Sequence, residues 1–204
     1  MSSGRVSTRR GLLEAARKLL ERGPYSTVSM GAIAREAGVS RQAAYLHFGS
    51  KADLLLALVS HVDEVEGLPH LLTRIQEAPS GVEALKRFVD LVAALTPRVY
   101  RIGIALAAAA EHDSAARAAW MDRMEARRAT CRSIAARLEA EGSLADALTS
   151  VAAADLLWAL SSMRVFADLV EVRGYSVRRY RGILEHTLLH AVTNRVSADS
   201  RPRR

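Results

Sequence analysis

Apolar residues recur along this chain at intervals of three and four, the period of a helix that buries one face. Leu12, Leu13, Ala16, Leu19 and Leu20 make the first such stripe. Thr8 precedes it as a cap, Gly23-Pro24 ends it near Arg22, and residues 1–7 read as a small, polar, mobile tail. Ser29 then caps a short helix to about Ala37, with Ile33, Ala34 and Ala37 facing in and Arg35 and Glu36 facing out. Gly38-Val39 reads as a turn. Ser40 caps another short helix that ends near Phe48, and Gly49 breaks the chain before Ser50 caps a fourth. Ser50 with Asp53 resembles a capping box with aspartate in the acidic place. The fourth helix carries Leu54, Leu55, Leu56, Leu58 and Val59 and is expected to reach Glu66.

Leu71, Leu72 and Ile75 permit a short helix before Pro79-Ser80-Gly81. Two helices are expected next, Val82 to Leu95 and Arg98 to Glu111, separated by Pro97. Asp113–Glu141 reads as a long amphipathic helix closed by Gly142-Ser143. Ser150–Val172 reads as one helix that is apolar on several faces, so it must be buried on more than one side. Gly174 stops it, and Ser176–Val192 makes the last helix. No stretch alternates with period two, and the pattern predicts an all-α protein.

The chain has 204 residues and a net charge of +7. That surplus suits a polyanionic partner, nucleic acid or an acidic membrane surface. The one cysteine, Cys131, excludes an intramolecular disulfide and fits a reducing cytosol. No apolar run approaches the roughly 20 residues that span a bilayer, and Ile102–Ala110 is followed by Glu111-His112-Asp113. Met1–Arg10 is basic but lacks a signal-peptide core after it. A cytoplasmic protein without a membrane partner is expected.

Residues 29–48 have the spacing of a helix-turn-helix, whose second helix can enter a major groove. Helical geometry puts Ala44 and Phe48 on the core face and Gln42, Ala43 and Leu46 opposite, flanked by Tyr45 and His47. Arg41 is placed to read guanine O6 and N7, and Gln42 adenine N6 and N7. Tyr45 and His47 are placed to donate to phosphates, and Lys51 meets a phosphate together with the free N–H groups of the next helix.

The run from Ser29 to Leu55 resembles the DNA-binding signature of the TetR family, through Ile33-Ala34, Ala37-Gly38-Val39-Ser40, Tyr45, Phe48, Lys51 and Leu54-Leu55. The likeness covers residues 8–60. It implies a three-helix helix-turn-helix head over 1–50 and a C-terminal helical ligand-binding and dimerisation bundle over 51–194. Residues 195–204 are basic and expected to be a disordered tail. The chain departs from the family pattern at Gly31, Ala32, Ala43 and Ala44, which concentrates base reading on Arg41 and Gln42. Ser29, Ser40, Ala43, Tyr45, His47 and Lys51 complete the expected DNA-facing set, and Arg5, Arg9 and Arg10 are candidates for further phosphate contacts.

A dimer doubles the DNA site and imposes a pseudo-palindrome. The last two helices carry more apolar surface than a monomer should expose. They are expected to pair with their two-fold mates through Leu157, Leu160, Leu169, Leu184 and Leu188, or else to close the monomer core. The resemblance also implies a small-molecule pocket. Tyr100, Trp120, Met121, Met124, Trp158, Met163 and Phe166 are candidates to line it, with Arg98, Glu111 or His112 as polar anchors, although residues of these types at helical spacing also serve as core.

The expected protein is therefore a DNA-binding transcriptional regulator. It is a homodimeric repressor on double-stranded operator DNA, released by an unidentified apolar or amphipathic ligand. The alternatives are a helix-turn-helix protein without a small ligand and a helical metal-dependent enzyme. His186 and His190 share a face but lack the glutamate of a metalloprotease motif, and Cys131 in mid-helix reads as an inert core thiol. No phosphate loop, nucleophile elbow or paired catalytic carboxylates stand out, so no cofactor, metal or catalytic residue is expected.

Overall fold

Side-chain caps start the helices where serine spacing predicts. Ser29 Oγ accepts from the Ala32 N–H at 3.2 Å, Ser40 from Ala43 at 3.1 Å and Ser50 from Asp53 at 3.0 Å. They begin α2 (Met30–Glu36), α3 (Arg41–His47) and α4 (Lys51–Val65), which follow α1 (Ser2–Arg22) and a 3₁₀ turn (Tyr25–Thr27). Next come α5 (Leu68–Gln76), α6 (Gly81–Ala109), α7 (Ser114–Ala140), α8 (Ser150–Leu160), α9 (Met163–Phe166) with a π-helical turn (Ala167–Val172), and α10 (Val177–Val192). This computed structural model describes residues 2–23 and 25–194, and of residues 2–6 the backbone alone. The tail expected at 195–204 and the side chain of Arg5 lie outside the described residues.

Three expectations about the elements are corrected. The tail expected over residues 1–7 is, from Ser2 on, part of α1, which no proline interrupts. The two helices expected on either side of Pro97 are one, α6. Proline removes one backbone donor and costs about 3 kcal/mol. Burial of Val92 and Ala93 before it and of Ile102 and Leu106 after it offsets that loss. Conversely, the single helix expected over Ser150–Val172 breaks at Ser161-Ser162 and bends by 42°. Ser162 accepts from the Val165 N–H, so the serine pair ends one helix and caps the next.

The described chain divides into two compact units, one up to Pro69 together with Arg98–Met124, the other His70–Pro97 with the residues from Glu125 on. In the first, Leu12, Leu13, Ile33, Ala44, Phe48, Leu54 and Leu58 share one core with Ile102, Leu106 and Ala116. Ion pairs fix the far end of α4. Arg123 grips Asp63 with two bonds of 2.5 and 2.7 Å. Glu66, the C-cap, accepts from Arg98 at 2.6 Å and Arg17 at 3.1 Å. Arg98, a candidate ligand anchor, is thus paired with Glu66.

In the second unit, α8 packs on α10. Phe88, Ile134, Leu138, Leu157, Phe166, Tyr180, Leu184 and Leu188 are buried. Gly81 sits in a crowded place: a Cβ there would lie 3.0 Å from the Leu138 backbone nitrogen. The end of α10 is fastened to the preceding loop, where Ala145 N–H donates to Val192 O and Asn194 N–H to Ser143 O, both at 3.0 Å.

Burial also corrects the expected dimer face. Leu157, Leu184 and Leu188 lie inside the chain's own core, 4% exposed or less, and have no surface to offer a second copy. Leu160 and Leu169 are half-buried, while Val151, Val172, Val177 and Ile183 are the exposed apolar side chains of this region. The expectation that no stretch is long and apolar enough to span a bilayer is corrected too. Continuous through Pro97, α6 meets that test by length and composition. Leu85, Phe88, Val89, Ile102 and Leu106 on it are buried against protein.

Candidate nucleic-acid interface

The turn between α2 and α3 sets the aim of α3. Gly38 has φ +69, and a Cβ there would meet nothing within 4 Å, so the left-handed backbone and not lack of space favours glycine. Val39 N–H returns to Ala34 O at 2.9 Å. Ala44 is fully buried and Phe48 is 4% exposed, so α3 docks by the face that the spacing predicts. Arg41, Gln42, Tyr45 and Leu46 are exposed on the other side, with Ala43 and His47 half-buried beside them. Leu46 lies outside the expected contact set, yet it is 73% exposed, an apolar tip suited to a thymine methyl. Its helical position puts it on this face, although an apolar side chain is not a usual phosphate or base-edge donor.

A groove of about 580 Å³ runs along this side, lined by Ser29, Met30, Gly31, Arg41, Tyr45, Gly49, Ser50 and Lys51, with Val28. It gathers the starts of α2 and α4, where backbone N–H groups lack helical partners, together with two cationic side chains. Lys51 Nζ donates to Tyr25 O at 3.0 Å and sits 3.5 Å from the centre of the Tyr25 ring. Burial lowers its pKa from the ordinary lysine value. The Arg41 guanidinium lies 5.6 Å from the centre of the Tyr45 ring, and that of Arg9 5.0 Å from Phe48. Ser29, Ser40 and Ser50 use their hydroxyls as caps, which leaves their role one of aiming the helices. The groove therefore offers donors and positive charge to a polyanion, beside a helix whose outer side chains reach outward.

Residues 12–58 match the model of the family described as bacterial regulatory proteins, tetR family. That match takes in α2, α3 and the adjoining parts of α1 and α4. Over 96 residues, 45% of this chain and 46% of the relative, the chain is 32% identical to the nucleoid occlusion factor SlmA of Marinomonas sp. (strain MWYL1). The chain thus spans about half the length of that relative.

Solved structures share the fold. A transcriptional regulator from Saccharomonospora viridis, in complex with choline, superposes with a TM-score of 0.80 at 23% identity, over 93% of this chain and 100% of that one. A TetR-family regulator from Agrobacterium tumefaciens gives 0.74 at 20%, over 93% and 100%. NalD, the secondary repressor of the MexAB-OprM multidrug efflux pump of Pseudomonas aeruginosa, gives 0.68 at 24%, over 93% and 97%.

The candidate pocket residues fall in both units. Tyr100, Trp120, Met121 and Met124 belong to the first, where Trp120 packs on the core and Met121 is 62% exposed. Trp158, Met163 and Phe166 belong to the second. Phe166 is buried and meets Tyr180 edge to face. Glu111 and His112 are exposed at the α6–α7 turn. His186 and His190 stack on the surface with ring centres 4.0 Å apart, and His190 Nδ1 bonds to His186 O at 2.8 Å. Among the described residues no group of three metal-ligating side chains occurs.

Cys131 is fully buried; burial pushes its thiol up to about 12 against the pull of Arg127, and does the same to Tyr180. Both groups stay protonated in the fold to higher pH than in the unfolded chain, where they ionise from 9.0 and 10.0. Their contribution is intact below pH 9 and is lost as pH rises toward 12. Urea midpoints should fall over that range, and Cys131→Ala should remove the earlier part of the fall. A thiol that reacts with a disulfide reagent as fast in the native as in the unfolded chain would contradict this.

Proposed function

We propose that this protein is a transcriptional repressor that binds a pseudo-palindromic operator as a homodimer and releases it when a small molecule binds. The observation that carries the reading is the exposed face of α3, Arg41, Gln42, Tyr45 and Leu46, beside a groove built from two helix starts and Lys51. Arg41 and Gln42 read base edges; Tyr45, His47, Lys51 and the helix starts position the backbone. A second copy docks through exposed residues of α8 and α10, Val151 and Ile183 among them. DNA binding places the protein in the cytoplasm.

α4 is the element that transmits the ligand signal. It begins in the groove at Lys51 and ends where Asp63 and Glu66 are held by Arg123, Arg98 and Arg17. A ligand favouring one placement of α4 opposes DNA binding, and DNA opposes the ligand equally. The choline held by the Saccharomonospora regulator and the repressor role of NalD support this reading. The likeness to a nucleoid occlusion factor favours a second one, a DNA-binding protein without a small ligand.

Selecting bound DNA from a random pool tests the proposal, and a pseudo-palindrome is expected. Arg41→Ala should relax one base position in each half-site by about 1–3 kcal/mol. Selected sequences without two related half-sites would refute dimeric reading.

A further inference from the structure

Three buried donors in the second unit have no hydrogen-bond partner: Arg127 Nε, Trp158 Nε1 and Tyr180 Oη. They come from α7, α8 and α10, and Arg127 is their common neighbour. Its guanidinium lies 4.8 Å from the centre of the Trp158 ring and donates from Nη1 to Ser161 Oγ at 3.1 Å. Its charge is felt at Tyr180 and at Cys131, one turn along α7. Phe166 lies edge-on to Tyr180, ring centres 5.4 Å apart.

Among the described residues no carboxylate pairs with Arg127. Asp155 on α8 goes instead to Arg128, at 3.0 Å. Folds rarely leave a buried cation without a counter-charge, or several buried donors together without acceptors, because each loses its water without compensation. Desolvation acts on Arg127 in that sense, lowering its pKa from the ordinary value.

The unmet chemistry is one-sided. Arginine and tryptophan only donate, and Tyr180, held protonated, also donates. A group that is rich in acceptors meets all three, and a negative one also supplies the counter-charge that Arg127 lacks. A carboxylate fits, with room for about four hydrogen bonds on two oxygens. Around the donors the surface is apolar: Phe166, Cys131 and the Trp158 ring. We infer that the second unit binds an organic acid with an apolar body, its carboxylate received by Arg127, Trp158 and Tyr180. This names the ligand class within the repressor reading above and rests on it for any effect on DNA. The donors are sealed from solvent, so entry requires α9 and its π-helical turn, which carry Phe166, to give way. Such irregular turns often mark functional places in helices.

Calorimetric titration of the full chain with octanoate, octanamide and octylammonium tests the inference, since the three share a tail and differ in head group. Octanoate should bind and the other two should not. Arg127→Met should weaken octanoate by about 10-fold or more while raising the thermal midpoint of the ligand-free protein, because an unpaired buried charge is removed. A merely structural arginine would lower that midpoint. Tyr180→Phe should weaken octanoate less and keep the fold. Equal binding of octanoate and octanamide, undiminished binding by Arg127→Met, or no millimolar binding of any straight-chain acid from butanoate to dodecanoate overturns the inference. So does a crystal structure grown with octanoate in which only water meets the three donors. Operator affinity read in the same titrations separates the two readings: DNA bound normally while every acid fails removes this site and leaves the DNA-binding reading intact. Octanoate that binds without loosening DNA supports the site and removes the release step.

Discussion

Phe48→Ala abolishes operator binding and lowers stability by about 3–5 kcal/mol, the cost of emptying a buried aromatic site. Phe48 is 4% exposed, caps α3 with its N–H on Ala44 O at 3.0 Å, and carries Arg9 over its ring. Alanine keeps that backbone bond, but loss of the ring removes the buried anchor by which α3 docks. Leu46→Ala is the matched control. Leu46 is 73% exposed, so its removal should leave stability within about 0.5 kcal/mol while weakening DNA binding. Urea unfolding and operator titration of both variants check this. A Phe48→Ala protein of native stability would show that α3 is not held by its core face.

Glu66→Ala should cost about 3 kcal/mol, the lower end for breaking a buried ion pair. The Glu66 side chain is 8% exposed and serves Arg98 and Arg17 at once, but Arg98 keeps 61% of its surface in water, which limits the loss. The bond from Arg98 and then that from Arg17 hold the Glu66 carboxyl below the ordinary value of 4.5, against the effect of burial. Its contribution is therefore present above pH 4.5 and is lost as pH falls through the lowered pKa. Stability measured from pH 7 down to 3 should fall less steeply in Glu66→Ala than in the parent. Parallel curves would mean that other carboxylates govern the acid limb.

The head is legible in the sequence because its signals are local. Serines at 29, 40 and 50 cap helices within three residues, Gly38 marks a turn, and Ala44 with Phe48 fixes a buried face by spacing alone. The second unit is less legible because its facts depend on which elements meet. The stripe of Leu184 and Leu188 announces burial but not against what, and the answer is the chain's own core. Pro97 reads as a break until tertiary burial is counted on both sides of it. The Ser161-Ser162 pair does carry a cap signal, hidden by the apolar run around it. Arg127, Trp158 and Tyr180 lie on three helices far apart in sequence, so no spacing could bring them together.

Lys51 has one more consequence. A lysine that closes on a phosphate ordinarily gives up the freedom of four rotatable bonds, roughly 1.5–2 kcal/mol at room temperature. Here the Tyr25 carbonyl and ring already hold the ammonium, so that freedom is surrendered when the chain folds. What arrives at the groove meets a charge standing still, and the ordering that a loose surface lysine would demand at each encounter is absent from this one.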